Sequence, residues 1–363
     1  MPAIIFAESS VNMGGQEYQI LTQMSEFARR GWEPYLICKK ISKIGEQAKK
    51  NGFQVKFLSL RNALDLKSIF SLLLFLIKVK PIGIILHSGH DSIIGAIASK
   101  IYRFIYKNKI KIIRARTYQP GVPGSFPYNN LFDITVAPSQ YLRSEILKNI
   151  QIKSSKVITL YPGIDFEKMQ NEGSKLLDPN IREWHEKTPG LLIVHGAMLR
   201  GEKGHLQFLT VLSRLLIKWP SLKYVIAGDG PEKDAVTNQI AKLGLANQVL
   251  VAGIVSPIAP LLKIADIAIL PSHKEPLGMF QIESQYFQIP TLATEVDGIP
   301  ETMEHQKTGL VVKNTEEEWY QAIEWAILNQ EKMKEYAKEG KIFVEKKFSI
   351  KKNIDSVIEL INN

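Results

Sequence analysis

The chain has 363 residues, long for one compact domain and comfortable for two of about 150–190 residues each. Hydrophobic residues make up 45% and charged residues 23%, which excludes a disordered chain and lets each half bury its own core. A net charge of +10 and a pI of about 9.3 suit a polyanionic partner, whether nucleic acid, anionic lipid or a phosphorylated substrate.

The N-terminus, MPAIIFAESS, has no basic segment before its apolar stretch and reaches Glu8 at once, so no signal peptide is expected. AIIFA reads as a buried strand, followed by the turn SSVNMGG and the helical stretch QEYQILTQMSEFARR. PYLICK and FQVKFLSL are the next strands. Cys38, in the first of them, is the only cysteine, which excludes an intrachain disulfide and a thiolate metal cluster and fits a reducing cytoplasm. The longest apolar run, Ile69 to Ile77, falls far short of the roughly 20 residues of a spanning helix. IGIILHSGH is a strand entering a loop, SIIGAIASKIYRFIY the helix behind it, and KIIRAR and DITVAPS close the first half. Residues 163–190 are polar and turn-rich and read as a hinge. Beyond them GLLIVHGAM, LKYVIAGDGP, QVLVAGIV, IAILPSH and TLATEV repeat the pattern of strand, turn and helix. Two sets of βα units predict two doubly wound parallel-sheet domains. The last pattern, IKKNIDSVIELI, is amphipathic and needs a partner surface.

The richest stretch for chemistry runs from Ile269 to Gly309. A strand leads into a polar loop, then Glu275-Pro-Leu-Gly, then a helical stretch with Glu283. Ligands of open α/β sheets lie beyond the carboxyl ends of the strands, where free N–H groups meet phosphate. Leu277, Gly278 and Met279 are placed to supply such donors, and Gly278 permits close approach. Glu275 and Glu283 are eight positions apart, about 12 Å along an ideal helix, roughly the span from the hexose to the ribose of a nucleotide sugar. Alone, the pair reads more readily as two unrelated acids at a helix start, where acids are favoured. GAMLRGEKGH adds Arg200 and Lys203 at another strand end, cations suited to a diphosphate leaving group. In IAGDGPEKDAV, Gly228 and Gly230 read as turn makers and Asp229 as a helix cap.

In order, EKG, AGDGP, ADIAILPS, EPLGMFQIE, GIPE and TGL resemble the retaining GT-B glycosyltransferases of family 4 (glycosyl transferases group 1), in particular lipopolysaccharide and polysaccharide members. The resemblance covers nearly the whole chain and is strongest from about Leu160 to Gly309. It implies an α/β GT-B fold of two Rossmann-like domains facing a cleft: an acceptor-side domain at 1–165, a nucleotide-sugar domain at 166–345, and a C-terminal helix at 346–363 crossing back to the first. By position it implies that Glu275 contacts the transferred sugar and Glu283 the ribose. Leu277, Gly278 and Met279 meet the sugar and distal phosphate, and Lys203 the diphosphate. Many relatives carry an arginine two positions into the GAMLRGEKGH loop, where this chain has Ala197 or Met198, and Arg200 is the displaced substitute. Gly14 and Gly15 resemble the glycine loop against the donor phosphate, although a glycine turn before a helix reads the same way. The loop His87-Ser-Gly-His90-Asp91 resembles a segment of lipopolysaccharide-type members, as does Arg114-Ala-Arg116; His87, at a strand end, either faces the cleft as an active-site residue or is structural. Asp91, Arg114 and Arg116 are acceptor-side candidates; the arginines bind an acidic acceptor or cap their strand.

No DxD pair occurs and no metal-ligand spacing is seen, so no metal or other cofactor is expected; the nucleotide-diphosphate sugar is substrate. The expected reaction moves a hexose-type sugar to a lipid-linked or saccharide acceptor with retention. A sugar-nucleotide epimerase and a donor-binding protein without turnover are the alternatives. The basic charge points to an anionic membrane surface and a cytoplasmic, peripheral location, because no nucleic-acid motif is present. Arg61 to Lys80 and Ser99 to Arg114 both mix basic and apolar residues. Leu72–Leu76 reads as core, so the second stretch is expected to face lipid, through Lys100, Arg103, Lys107, Lys109 and Lys111 with Tyr102, Phe104 and Tyr106.

Overall fold

The structure is a computed structural model, and it describes residues 1–107, 109–118 and 121–363. Residue 108, within the basic stretch 99–114, therefore lies outside the described residues. The chain forms two compact units, Met1–Asp165 with Phe348–Asn363, and Phe166–Lys347.

In the first unit β1 (Ala3–Glu8), β2 (Glu33–Cys38), β3 (Gln54–Phe57), β4 (Gly83–Leu86), β5 (Lys111–Ala115), β6 (Ile134–Ala137) and β7 (Val157–Thr159) build one parallel sheet in the order β3-β2-β1-β4-β5-β6-β7. All six β1 residues are buried, because crossover helices cover both faces of the sheet and leave no polar side for alternation to follow. The order reverses between β1 and β4, so the chain leaves both strands at the crevice where doubly wound sheets bind ligands.

The last helix, Ile350–Asn362, belongs to this unit. Its apolar face (Ile350, Ile354, Val357, Ile361) packs into the core of Ile4, Phe6, Ile20, Met24 and Phe27. Backbone hydrogen bonds join Ile164 N to Phe348 O (2.7 Å) and Ile350 N to Ile164 O (3.0 Å). Gly163 carries no Cβ, and one there would overlap the Ile350 backbone. On the same face Asn353 is buried, donating to Tyr161 O (2.7 Å) and accepting from Gln23 Nε2 (2.8 Å).

In the second unit β8 (Leu192–Gly196), β9 (Lys223–Ala227), β10 (Val249–Gly253), β11 (Ile267–Leu270), β12 (Thr291–Thr294) and β13 (Leu310–Val312) form a parallel sheet ordered β10-β9-β8-β11-β12-β13. Its reversal falls between β8 and β11. The polar, turn-rich stretch 163–190 holds two short helices, Phe166–Glu172 and Pro179–Lys187. Asp178 caps the second by accepting from Asn180 N (2.9 Å) and Ile181 N (3.4 Å), and Pro179 occupies its first position. Asp229, by contrast, is no helix cap. Its carboxylate turns back on Gly230 N (2.8 Å), and the helix starts only at Lys233.

Among the described residues, no helix is long and apolar enough to cross a membrane.

Candidate functional site

In the C-terminal unit the loops leaving β8, β11 and β12 are locked together by their backbones. Gly204 has φ +74°, and a Cβ there would overlap the Pro271 carbonyl. A Cβ at Gly298 would overlap the Pro276 carbonyl. His273 N donates to Glu202 O (2.7 Å), and Gly298 N to Glu275 O (3.1 Å). This rigid frame brings Lys203, on the short turn Gly201–Lys203, to Glu275, with Nζ 2.6 Å from Oε2. Both side chains are mostly withdrawn from water, which strengthens the pair relative to a surface ion pair. The Glu275 N–H donates to Asp297 Oδ2 (2.8 Å), so a third loop fixes the same residue.

Beyond Glu275, the N–H groups of Leu277, Gly278 and Met279 meet no protein acceptor among the described residues. Three consecutive backbone donors beside a lysine make a seat for an anion. Gly278 has φ +83°, and a side chain there would strike the buried amide of Gln281. The helix behind this seat spans only Phe280–Tyr286. Glu275 therefore stands in a loop, and the 12 Å helical ruler does not apply to the Glu275–Glu283 pair. Glu283 sits in the first turn of that helix, part-buried. Burial, with the Glu172 carboxylate as a lesser cause, pushes its carboxyl up to about 7. Arg200 is exposed: its guanidinium lies 3.9 Å from Glu202, and its carbonyl accepts from Lys203 N (2.9 Å), so it joins the pair through its backbone alone.

In the N-terminal unit, the loops leaving β1 and β4 meet around Glu8, His87 and Asp91. His87 is buried, and its Nδ1 lies 3.0 Å from Ala7 O. A carbonyl oxygen can only accept, so Nδ1 carries the proton and Nε2 the lone pair. Burial pulls the imidazole down to about 4, which keeps it neutral at pH 7. His87 lines a cavity of about 70 Å³ with Gln16, Gln19, Gln23, Arg116 and Asn353. Such a lining offers amide and imidazole partners to hydroxyl groups.

Three of the expected residues do not line this cavity. Asp91 is buried and caps the helix Gly89–Tyr106: its oxygens accept from Ser9 Oγ (2.9 Å), His87 N (3.1 Å) and Ser88 N (3.2 Å). Enclosed and spent on these donors, it offers no surface to an acceptor; burial, with Glu8 as a lesser cause, raises its carboxyl. Arg114 is enclosed, its guanidinium 5.0 Å from the rings of both Tyr128 and Phe132, and it too is no surface acceptor site. The Gly14 N–H is occupied by Glu17 Oε2 (2.8 Å). Gly15 remains open: a Cβ there would meet nothing within 4 Å.

Residues the motifs did not single out are Asp297, Glu172, Asn353 and the row Gln16, Gln19, Gln23. The row was visible as amides at helical spacing, and Asn353 as a polar residue on an apolar face. Among the described residues, no three His, Cys, Asp or Glu side chains gather as metal ligands.

The family model for glycosyl transferases group 1 matches residues 178–343, and that for Glycosyltransferase Family 4 matches residues 13–168. CapM of Staphylococcus aureus, a capsular polysaccharide biosynthesis glycosyltransferase, is 25% identical over 307 residues, 78% of this chain and 77% of that protein. EpsD of Bacillus subtilis, a glycosyltransferase by its description, is 27% identical over 181 residues, 50% of this chain and 47% of its own length. Among solved structures, HepE of Anabaena in complex with UDP superposes with a TM-score of 0.84 at 17% identity, covering 100% of both chains. Two parallel-sheet units of this topology are the GT-B fold. The two models tile both units in order, and the chain is a GT-B glycosyltransferase of family 4.

Proposed function

We propose that the enzyme transfers a hexose-type sugar from a nucleotide-diphosphate sugar to a lipid-linked or saccharide acceptor of polysaccharide or lipopolysaccharide type, retaining anomeric configuration and needing no metal. One observation carries this reading: the Lys203–Glu275 pair stands beside the open N–H groups of Leu277, Gly278 and Met279. Cleavage of the sugar–phosphate bond leaves negative charge on the diphosphate and positive charge on the sugar ring. Lys203 and the three donors stabilise the first, and the Glu275 carboxylate the second. In this reading Glu283 accepts from the ribose hydroxyls, and Arg116 and His87 serve the acceptor. The UDP held by HepE and the capsular role of CapM support a nucleotide donor and a polysaccharide product. A lipid-linked acceptor asks for peripheral attachment at the cytoplasmic face of a membrane, and we include it.

The test is incubation with a panel of nucleotide sugars, with and without saccharide acceptors, followed by NMR of the anomeric proton. Release or transfer of one sugar is expected to persist in EDTA, and the product anomer to match the donor. Activity abolished by chelator and restored by magnesium or manganese would remove the metal-free part of the proposal, and an inverted anomer the retaining part.

Gly15 separates ligand contact from folding. It occupies the first position of the helix Gly15–Arg29 with free space where a Cβ would project. Ala there is tolerated by the fold and favoured by the helix by up to about 1 kcal/mol. Gly15→Ala is therefore expected to keep or slightly raise Tm while lowering kcat/KM at least about tenfold, as a loss of about 1.4 kcal/mol of phosphate contact would. Unchanged kinetics in this variant would leave Gly15 a plain turn residue.

A further inference from the structure

The net charge is not shared between the units. The first holds 25 Lys and Arg against 12 Asp and Glu, a net +13, and the second 21 against 24, a net −3. The whole positive excess thus belongs to one unit, and so does an unusual apolar surface.

Two crossover helices of that unit, Leu66–Val79 and Gly89–Tyr106, lie side by side over one sheet face. Ile69, Leu72 and Leu76 of the first, with Ile94, Ala98 and Tyr102 of the second, enter the core. The outer face of such a helix is ordinarily polar. Here Leu66, Phe70 and Leu74 stand on it at four-residue spacing, Phe70 being 62% exposed. At the end of the second helix Phe104 is 88% exposed, with Ile105 and Tyr106 also outside. Lys67, Lys78, Lys80, Lys100, Lys107 and Lys109 are exposed along the same two segments. The only acid in 61–80 and 99–111 is Asp65, whose carboxylate is engaged by Ser68 N (3.2 Å) and Arg61 N (3.2 Å).

This surface differs from the one expected from sequence. Tyr102 is buried, and the Arg103 guanidinium is held by Asp133 and the Ile110 carbonyl, so neither faces outward as a lipid contact. Leu74, read as core, is exposed instead.

We propose that this helix pair is the membrane-docking surface, with Phe70, Leu74 and Phe104 entering the headgroup–acyl boundary of an anionic bilayer and the lysines meeting lipid phosphates. The inference rests on the peripheral reading above and gives it an address. A bilayer supplies both chemistries at once, anionic headgroups and hydrocarbon, and long lysine stems keep their ammonium groups at the phosphate level. A second copy of the chain would instead bring like charge against like charge.

The protein is sedimented with vesicles of phosphatidylcholine alone or of phosphatidylcholine mixed with anionic phosphatidylglycerol. Binding is expected only with the anionic lipid and is expected to fall with salt. The triple variant Lys67→Glu, Lys78→Glu, Lys100→Glu should lose more than about 100-fold in partitioning, since each lysine contributes about fivefold and each glutamate adds repulsion. Phe70→Ser with Phe104→Ser should lose about tenfold or more at unchanged charge. Donor hydrolysis without vesicles should be the same in parent and variants, which separates failure of docking from failure of the transferase reading. A parent that ignores anionic vesicles overturns the proposal. So does a serine variant that sediments like the parent, or one whose only change in analytical ultracentrifugation is loss of a dimer.

Discussion

Lys203→Ala is expected to lower kcat by about 100- to 1,000-fold, the usual loss when one preorganised electrostatic donor is removed from a developing charge. The ammonium is not held by a long flexible reach. It is set by the turn Gly201–Lys203, by the tie from His273 N to Glu202 O, and by the 2.6 Å contact to Glu275. The contact also means that Lys203 and Glu275 act as a unit. Glu275→Ala should lower turnover more than affinity, because a carboxylate near the sugar gains strength as positive charge develops. The double variant should then fall well short of the product of the two single losses, as residues that work together do. Lys203→Arg keeps the charge but not the compact ammonium geometry, and only partial recovery is expected. Steady-state assays of the four proteins decide the matter. A Lys203→Ala enzyme within tenfold of the parent kcat, or fully multiplicative losses, would dissolve the proposed pair.

The strands were legible wherever a buried run was long and bounded by turns, as in AIIFA and IAILPSH. β7 and β13, three residues each, are not legible, because so short a run carries no periodicity of its own. The helix Pro179–Lys187 was hidden by its polar surface, although Asp178-Pro179 is a start signal by composition alone. Side-chain direction was the larger obstacle. In a sheet covered on both faces, Arg114 between two isoleucines and an alanine carries no sign of which way it points, and it turned out to be enclosed by Tyr128 and Phe132. Asn353 lies 330 positions from Gln23, its partner, and no local pattern links them. Loops with glycine at close approaches were easier. The motif around Glu275 located a donor-rich turn, while the tie from Asp297 to the Glu275 amide needed the fold.

Glu283→Gln is expected to make the free enzyme more stable and the donor complex weaker. In the folded protein burial and the Glu172 carboxylate push the Glu283 carboxyl up to about 7, whereas an unfolded glutamate ionises near its ordinary value of about 4.3. Below the ordinary value both states are protonated and nothing is lost. As pH rises through the window from about 4.5 to 7, the unfolded chain releases its proton while the folded one retains it, so stability falls across that window and levels off above it. At pH 8 this amounts to at most about 4 kcal/mol, less whatever water still reaches a part-buried group. Glutamine cannot ionise and removes the penalty, so its Tm advantage should be large at pH 8 and vanish near pH 4.5. The ligand works in the opposite sense. Ribose hydroxyls donate to a carboxylate, so the donor favours the ionised form, and its binding should tighten with rising pH and release about half a proton per complex at pH 7, approaching one near pH 6. Isothermal titration in buffers of different ionisation enthalpy measures that proton directly. The parent should show it, Glu283→Gln should not, and the variant should bind the donor about 10- to 100-fold more weakly, with kcat at saturation reduced far less. A variant that gains no stability at pH 8 would remove the buried-charge penalty, and one that binds with the parent's pH dependence would separate Glu283 from the donor.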